Sequence, residues 1–166
     1  MRHGYVIGLG LLIAVVLPVA GTGRAHADPS ILTAGNQNTI NYVIQRALSQ
    51  RGVPYVYGGG NAAGPTRGTG LNANVVGFDA SGLIQYAFAG AGIKMPRTSG
   101  QQCSVGFKVP PAQARPGDLI CYGPGGSQSV AMYLGNGQMI EATEPAVTVS
   151  PARTAGMTPY LTRIIA

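Results

Sequence analysis

The stretch Gly77-Phe78-Asp79-Ala80-Ser81-Gly82-Leu83-Ile84-Gln85-Tyr86-Ala87-Phe88 constrains this chain more than any other. Apolar residues at 80, 83, 84, 87, 88 and 91 share one face of a 3.6-residue repeat, which predicts a helix buried along one side. Asp79 and Ser81 are start signals, and the glycines at 90 and 92 mark the end. A small residue in the first turn of such a helix, just after a glycine-rich loop, occupies a good seat for a nucleophile. The positive end of the helix dipole would lower a thiol's pKa there and stabilise an oxyanion. The seat holds Ala80, whose methyl group has no nucleophilic atom.

Residues 1–27 read as a secretory signal. Arg2 and His3 form a charged start, Tyr5 to Val19 is almost wholly apolar, and Ala25-His26-Ala27 gives a small-x-small cleavage pattern. The apolar run is short for a bilayer span, and no second run is long enough to be one. The expected product is secreted, in the cell wall or periplasmic space. Without Arg2 and Arg24, nine basic residues face five acids, a net charge of +4. That charge suits an acidic partner such as a carboxylate-rich wall polymer, and equally suits solubility. The basic residues are scattered, which argues against nucleic acid.

Both histidines, His3 and His26, lie in the signal segment. The exported chain therefore lacks the commonest general base, the commonest zinc ligand and the usual partner of a Ser or Cys nucleophile. No cofactor or metal site is expected: two thiols make no structural zinc site unaided, and the carboxylates lack calcium-loop spacing. Cys121 sits in the strand-like run Asp118-Leu119-Ile120-Cys121-Tyr122 and is expected to pack as a small hydrophobe. Export permits a bond to Cys103, but nothing in the sequence fixes the geometry, so the sequence leaves open whether the two pair.

Residues 28–37 read as a short leader and 38–166 as one domain. Ile40, Val43, Ile44, Ala47 and Leu48 predict an amphipathic helix capped by Asn36 or Asn38 and ended by Gly52 and Pro54. The glycine-rich passage from 58 to 77 is too long for a connector and is expected to wrap over a site. Its Gly59, Gly64 and Pro65-Thr66 do not make a phosphate loop, because proline stands in the place of the lysine. Thr98-Ser99-Gly100-Gln101 has capping-box spacing for a short helix. Strands follow at Leu119 to Tyr122, Val130 to Leu134, Gln138 to Ala142, Val147 to Val149 and Tyr160 to Ile165, with a hairpin turn at Gly135-Asn136-Gly137. Helices first and an antiparallel meander afterwards make an α+β fold.

Several polar residues invite chemistry. Ser81 lacks a base and reads as a cap. Glu141 and Glu144 are a weak match to a glycosidase acid pair. Ser129 at a strand start reads by default as a ladder-end hydroxyl. Tyr55 and Tyr57 fit either a core strand or an aromatic step for sugar or peptide.

From about Ile40 to Ile165 the chain resembles the NlpC/P60 cysteine peptidases, papain-like enzymes that cut peptidoglycan stem peptides. The matching pieces are Gly52-Val53-Pro54-Tyr55-Val56-Tyr57-Gly58-Gly59, Asp79-Ala80-Ser81-Gly82-Leu83, Pro116-Gly117-Asp118-Leu119 and Ser129-Val130-Ala131-Met132-Tyr133-Leu134-Gly135. Asn61-Ala62-Ala63-Gly64-Pro65 and Thr154-Ala155-Gly156-Met157-Thr158-Pro159-Tyr160 look like a mycobacterial subgroup with a non-catalytic, peptidoglycan-binding member. The resemblance places the family's nucleophilic cysteine at Ala80, its histidine base at Ser129 and its third polar residue at Glu141. It implies a fold of N-terminal helices packed on an antiparallel sheet, and a stem-peptide groove involving Tyr55, Asp79, Ala80, Ser81, Ser129 and Glu141. Glu141, without a histidine, would bond Ser129 or meet an amine of the stem peptide. The expectation is a monomer that binds peptidoglycan stem peptides and is not an enzyme. The alternatives are a regulator or partner of wall hydrolases, with an apolar patch away from the groove, and a weak residual hydrolase.

Overall fold

The computed structural model describes residues 29–166, with side chains from residue 34 onward. The expected signal peptide lies outside them. Helix α1 (Pro29–Leu48) leads into a glycine-rich passage containing a small hairpin of β1 (Thr66–Arg67) and β2 (Val76–Gly77). Helix α2 (Ala80–Ala89) follows, then the short α3 (Ser99–Gln102). The strands β3 (Phe107–Val109), β4 (Leu119–Tyr122), β5 (Ser129–Gly135), β6 (Gln138–Ala142), β7 (Val147–Pro151) and β8 (Leu161–Arg163) complete the chain. They form one antiparallel sheet in the order β3-β8-β4-β5-β6-β7.

Strand alternation sorts the sheet's side chains to two faces. Leu119, Cys121, Val130, Met132, Ile140 and Ala142 face the helices, in one cluster with Val43 and Ala47 of α1 and Leu83, Ile84, Ala87 and Phe88 of α2. Ile120, Tyr122, Ala131 and Met139 turn the other way and meet Val109 and Leu161. Both faces are covered, which is why β4 reads as an unbroken buried run. Each fully buried aliphatic or aromatic side chain stabilises the fold by roughly 1.5–3 kcal/mol. The β5–β6 hairpin turns on Asn136 and Gly137, with φ of 51° and 69°. Two left-handed residues make the type I′ turn that fits strand twist.

Two expectations change, and one question the sequence leaves open is answered. Residues 29–37 are not a leader, because α1 begins at Pro29 and runs through them. The Asn36 side-chain amide donates to the carbonyl of Ala166, joining that part of the helix to the end of β8's extension. Cys103 and Cys121 are paired, not free: alternation along β4 turns Cys121 toward the residue that ends α3, with Cα atoms 6.2 Å apart, inside the range a disulfide spans. The last strand is shorter than expected, and its outer neighbour β3 was not foreseen. Phe107-Lys108-Val109 is too brief to show a period.

Candidate functional site

Asp79 is the extended residue that caps α2, and its carboxylate is fully engaged. One oxygen accepts from the backbone N–H of Gly82 at 2.7 Å, the other from that of Gly58 at 3.2 Å. Arg97 grips both oxygens, at 2.9 Å each. The same guanidinium donates to the Ser81 hydroxyl at 2.8 Å and to the Gly59 carbonyl at 3.1 Å. A bidentate pair of this kind fixes direction as well as charge. Gly82 is required here, since a Cβ would lie 2.3 Å from the Gly59 carbonyl oxygen. Gln102, buried behind this turn, donates to the carbonyls of Ser81 and Pro96 and so joins α3 to the start of α2.

Above this network lies an open groove of about 670 Å³. Tyr55, Asp79, Ala80, Ser81 and Ser129 all line it. Tyr55 is half-buried against the core, while Tyr57 is 72% exposed at the groove. Burial, and then the carboxylates of Asp79 and Glu144, push the Tyr55 phenol above its ordinary pKa. The first turn of α2 presents the Ala80 methyl to the groove.

Glu141 is not in the groove, which corrects its expected contact with Ser129 or with a ligand amine. It follows Met139 in alternation onto the sheet face away from α2, where its side chain is 3% exposed. Arg153 donates to both of its oxygens, with Nη2 at 2.9 Å from Oε2. The guanidinium stands 4.4 Å from the centre of the Tyr122 ring, whose hydroxyl donates to the Arg153 carbonyl at 3.0 Å. The hydrogen bonds to Glu141 raise the Arg153 pKa, and burial raises that of Tyr122. Glu144 does line the groove, so the two glutamates form no acid pair. Arg97, Gln128 and Thr143 also line it and were not anticipated. A lone arginine in a loop has no periodic signature. Among the described residues, no three His, Cys, Asp or Glu side chains gather as metal ligands, and no helix is long and apolar enough to cross a membrane.

The NlpC/P60 family model matches residues 52–166, which span the groove and the whole sheet. The chain belongs to the NlpC/P60 family. It is 55% identical over 163 residues to the peptidoglycan endopeptidase RipB of Mycobacterium tuberculosis, covering 95% of this chain and 66% of that protein. It is 60% identical over 151 residues to the peptidoglycan endopeptidase RipA of Mycolicibacterium smegmatis, covering 90% of this chain and 30% of RipA. It thus spans less than two thirds of either relative. The structure of RipD from Mycobacterium tuberculosis, described as a non-catalytic NlpC/p60 domain protein adapted to peptidoglycan binding, superposes with a TM-score of 0.74. RipD is 65% identical, and the match covers 76% of this chain and 97% of RipD. RipA structures mutated at a cysteine, a histidine and a glutamate superpose with TM-scores of 0.76–0.77. Those three positions have the same spacing as Ala80, Ser129 and Glu141.

The expectation that the chain is not an enzyme is corrected by these relatives. RipA and RipB, at 50–60% identity, are named endopeptidases and point to a hydrolase, although RipD at 65% is described as non-catalytic. As a matter of composition, residues 29–166 hold no histidine, and both cysteines are in the disulfide.

Proposed function

We propose that this chain, exported and beginning at Asp28, binds the stem peptides of cell-wall peptidoglycan in the groove over α2. The observation that carries the reading is the network of Asp79, Arg97 and Ser81, which is held by hydrogen bonds within the chain beneath an open groove. Groups held in place in this way lose little entropy on binding. The peptidoglycan-binding description of RipD and the endopeptidase names of RipA and RipB support the same polymer as ligand. Tyr55, Asp79, Ala80, Ser81 and Ser129 are the proposed contacts. Glu141 supports the sheet behind them and is not one of the contacts. The chain acts as a monomer in the wall space, and wall hydrolases are its proposed protein partners.

A second reading, stem-peptide hydrolysis in this groove, is favoured by the named activity of RipA and RipB. With Ala80 and Ser129 at the two positions, it would have to run on groups other than a thiol and an imidazole.

One experiment separates the two: co-sedimentation of residues 28–166 with purified peptidoglycan at low and at about 0.5 M salt, with the supernatant analysed by mass spectrometry. Retention that survives salt supports the binding groove. New peptide fragments that grow with time support hydrolysis. Retention lost at both salts counts against the binding reading and turns the search to protein partners.

A further inference from the structure

We propose that Tyr57 is a saccharide platform at the rim of the groove, so that the ligand recognised is a sugar-linked stem peptide and not the peptide alone. The inference rests on the peptidoglycan reading above and extends it to the other half of the polymer.

Tyr55, in a bridge to Phe78, and Tyr57, in the turn closed by the Gly59 N–H on the Val56 carbonyl, flank the buried Val56, and both line the groove. Only Tyr55 belongs to the core packing. Tyr57 is in neither hydrophobic cluster and leaves 72% of its surface in water. A large ring so placed gains little of the stabilisation that burial would give it.

Its base is nevertheless firm. The Tyr57 carbonyl accepts from the Thr69 N–H at 2.8 Å, the next N–H, of Gly58, donates to Asp79, and the Gly59 carbonyl accepts from the Asp79 N–H at 2.9 Å. The Thr69 side chain fills the space over Gly58, where a Cβ would lie 2.4 Å from its hydroxyl oxygen. The ring is therefore carried on a backbone tied to the groove floor, and an exposed tyrosine has only two side-chain torsions to order.

The chemistry of the polymer supplies a partner. Each stem peptide is attached to an amino-sugar strand, so a peptide lying in the groove must place a pyranose ring within a few bonds of its attached end. A pyranose offers an apolar face of C–H groups and a rim of hydroxyls, which matches an aromatic face with a phenolic hydroxyl and a neighbouring threonine.

The test is a calorimetric titration with two ligands from one peptidoglycan preparation: the disaccharide-peptide, and the same peptide after an amidase has removed the sugar. The wild-type chain should bind the disaccharide-peptide about tenfold more tightly. Tyr57→Ala should bring the two affinities together without lowering the melting temperature, and Tyr57→Trp should keep them apart. Equal wild-type affinities, or a ratio unchanged in Tyr57→Ala, would overturn the platform and leave the peptide groove standing. Failure to bind either ligand would overturn the groove reading, and the platform with it.

Discussion

Asp79–Arg97 and Glu141–Arg153 are both two-pronged carboxylate–guanidinium pairs, yet their surroundings are opposite. The first opens onto the groove: the Asp79 side chain is 16% exposed, Arg97 is 36% exposed, and the Ser81 hydroxyl, at 3.3 Å, and two backbone amides also donate to the carboxylate. The second closes the far face of the sheet, where Glu141 is 3% exposed and Arg153 supplies its only side-chain hydrogen bonds among the described residues. A carboxylate with several partners survives the loss of one, and a buried carboxylate with one partner does not. The groove pair shapes the floor of the groove proposed to take a ligand, and the far pair ties Glu141 of β6 to the chain that follows β7.

The contrast can be broken by experiment. The largest effect is expected from the disulfide that follows the groove pair along the chain. Replacing Cys103 and Cys121 by serine should cost about 3 kcal/mol in urea unfolding, for a closed loop of this length. Amide exchange should rise first around α3 and Arg97, while the amides beside Glu141 stay protected; a uniform rise would show that the two regions are not separable.

Arg153→Ala comes next. It leaves Glu141 buried without its cation, and because Arg153 is partly in water the loss should be about 2–3 kcal/mol. Glu141→Gln in the same background should recover most of that loss, as the stranded charge is then gone. Arg97→Ala should cost only about 1 kcal/mol of stability, since backbone amides still hold Asp79, but about tenfold in peptidoglycan affinity. Comparable stability losses for Arg97→Ala and Arg153→Ala would erase the distinction drawn here.

The smallest effect is in alkali. Tyr55's folded pKa is raised above its unfolded value of about 10, so above that pH the folded chain holds more protons than the unfolded one. Stability from this group is full below pH 10 and is lost as pH rises past it. Tyr55→Phe should flatten that decline in a pH series of urea midpoints, and an unchanged slope would remove Tyr55 as its source.

Much of this was legible in the sequence because it rests on local rules. The α2 periodicity, its Asp79 cap, the capping box at Thr98 and the Asn136-Gly137 hairpin each depend on residues within a turn or two of one another. What the sequence did not show depends on distant residues meeting. Arg97 reaches Asp79 across the whole of α2, Arg153 reaches Glu141 across β7, and Cys103 meets Cys121 only once β4 has chosen its faces. The start of α1 was missed for another reason: its early residues, such as Gly35 and Asn36, are weak helix formers, and the end of the chain packs against them. Glu141 keeps the spacing of the glutamate mutated in RipA, but its partner Arg153 was not legible, because spacing gives a residue's place on a strand and not the partner it finds there.

The most direct test of the central claim is to fill the groove without disturbing its frame. Ala80→Phe puts a ring where the methyl, half-buried against the core, lines the groove floor, and leaves the side chains of Asp79, Ser81 and Arg97 unchanged. With the melting temperature as a check on folding, the account predicts salt-resistant retention of the wild-type chain on purified peptidoglycan and its loss in Ala80→Phe. Equal retention of a folded Ala80→Phe protein would contradict it, by showing that the wall is held at some other surface.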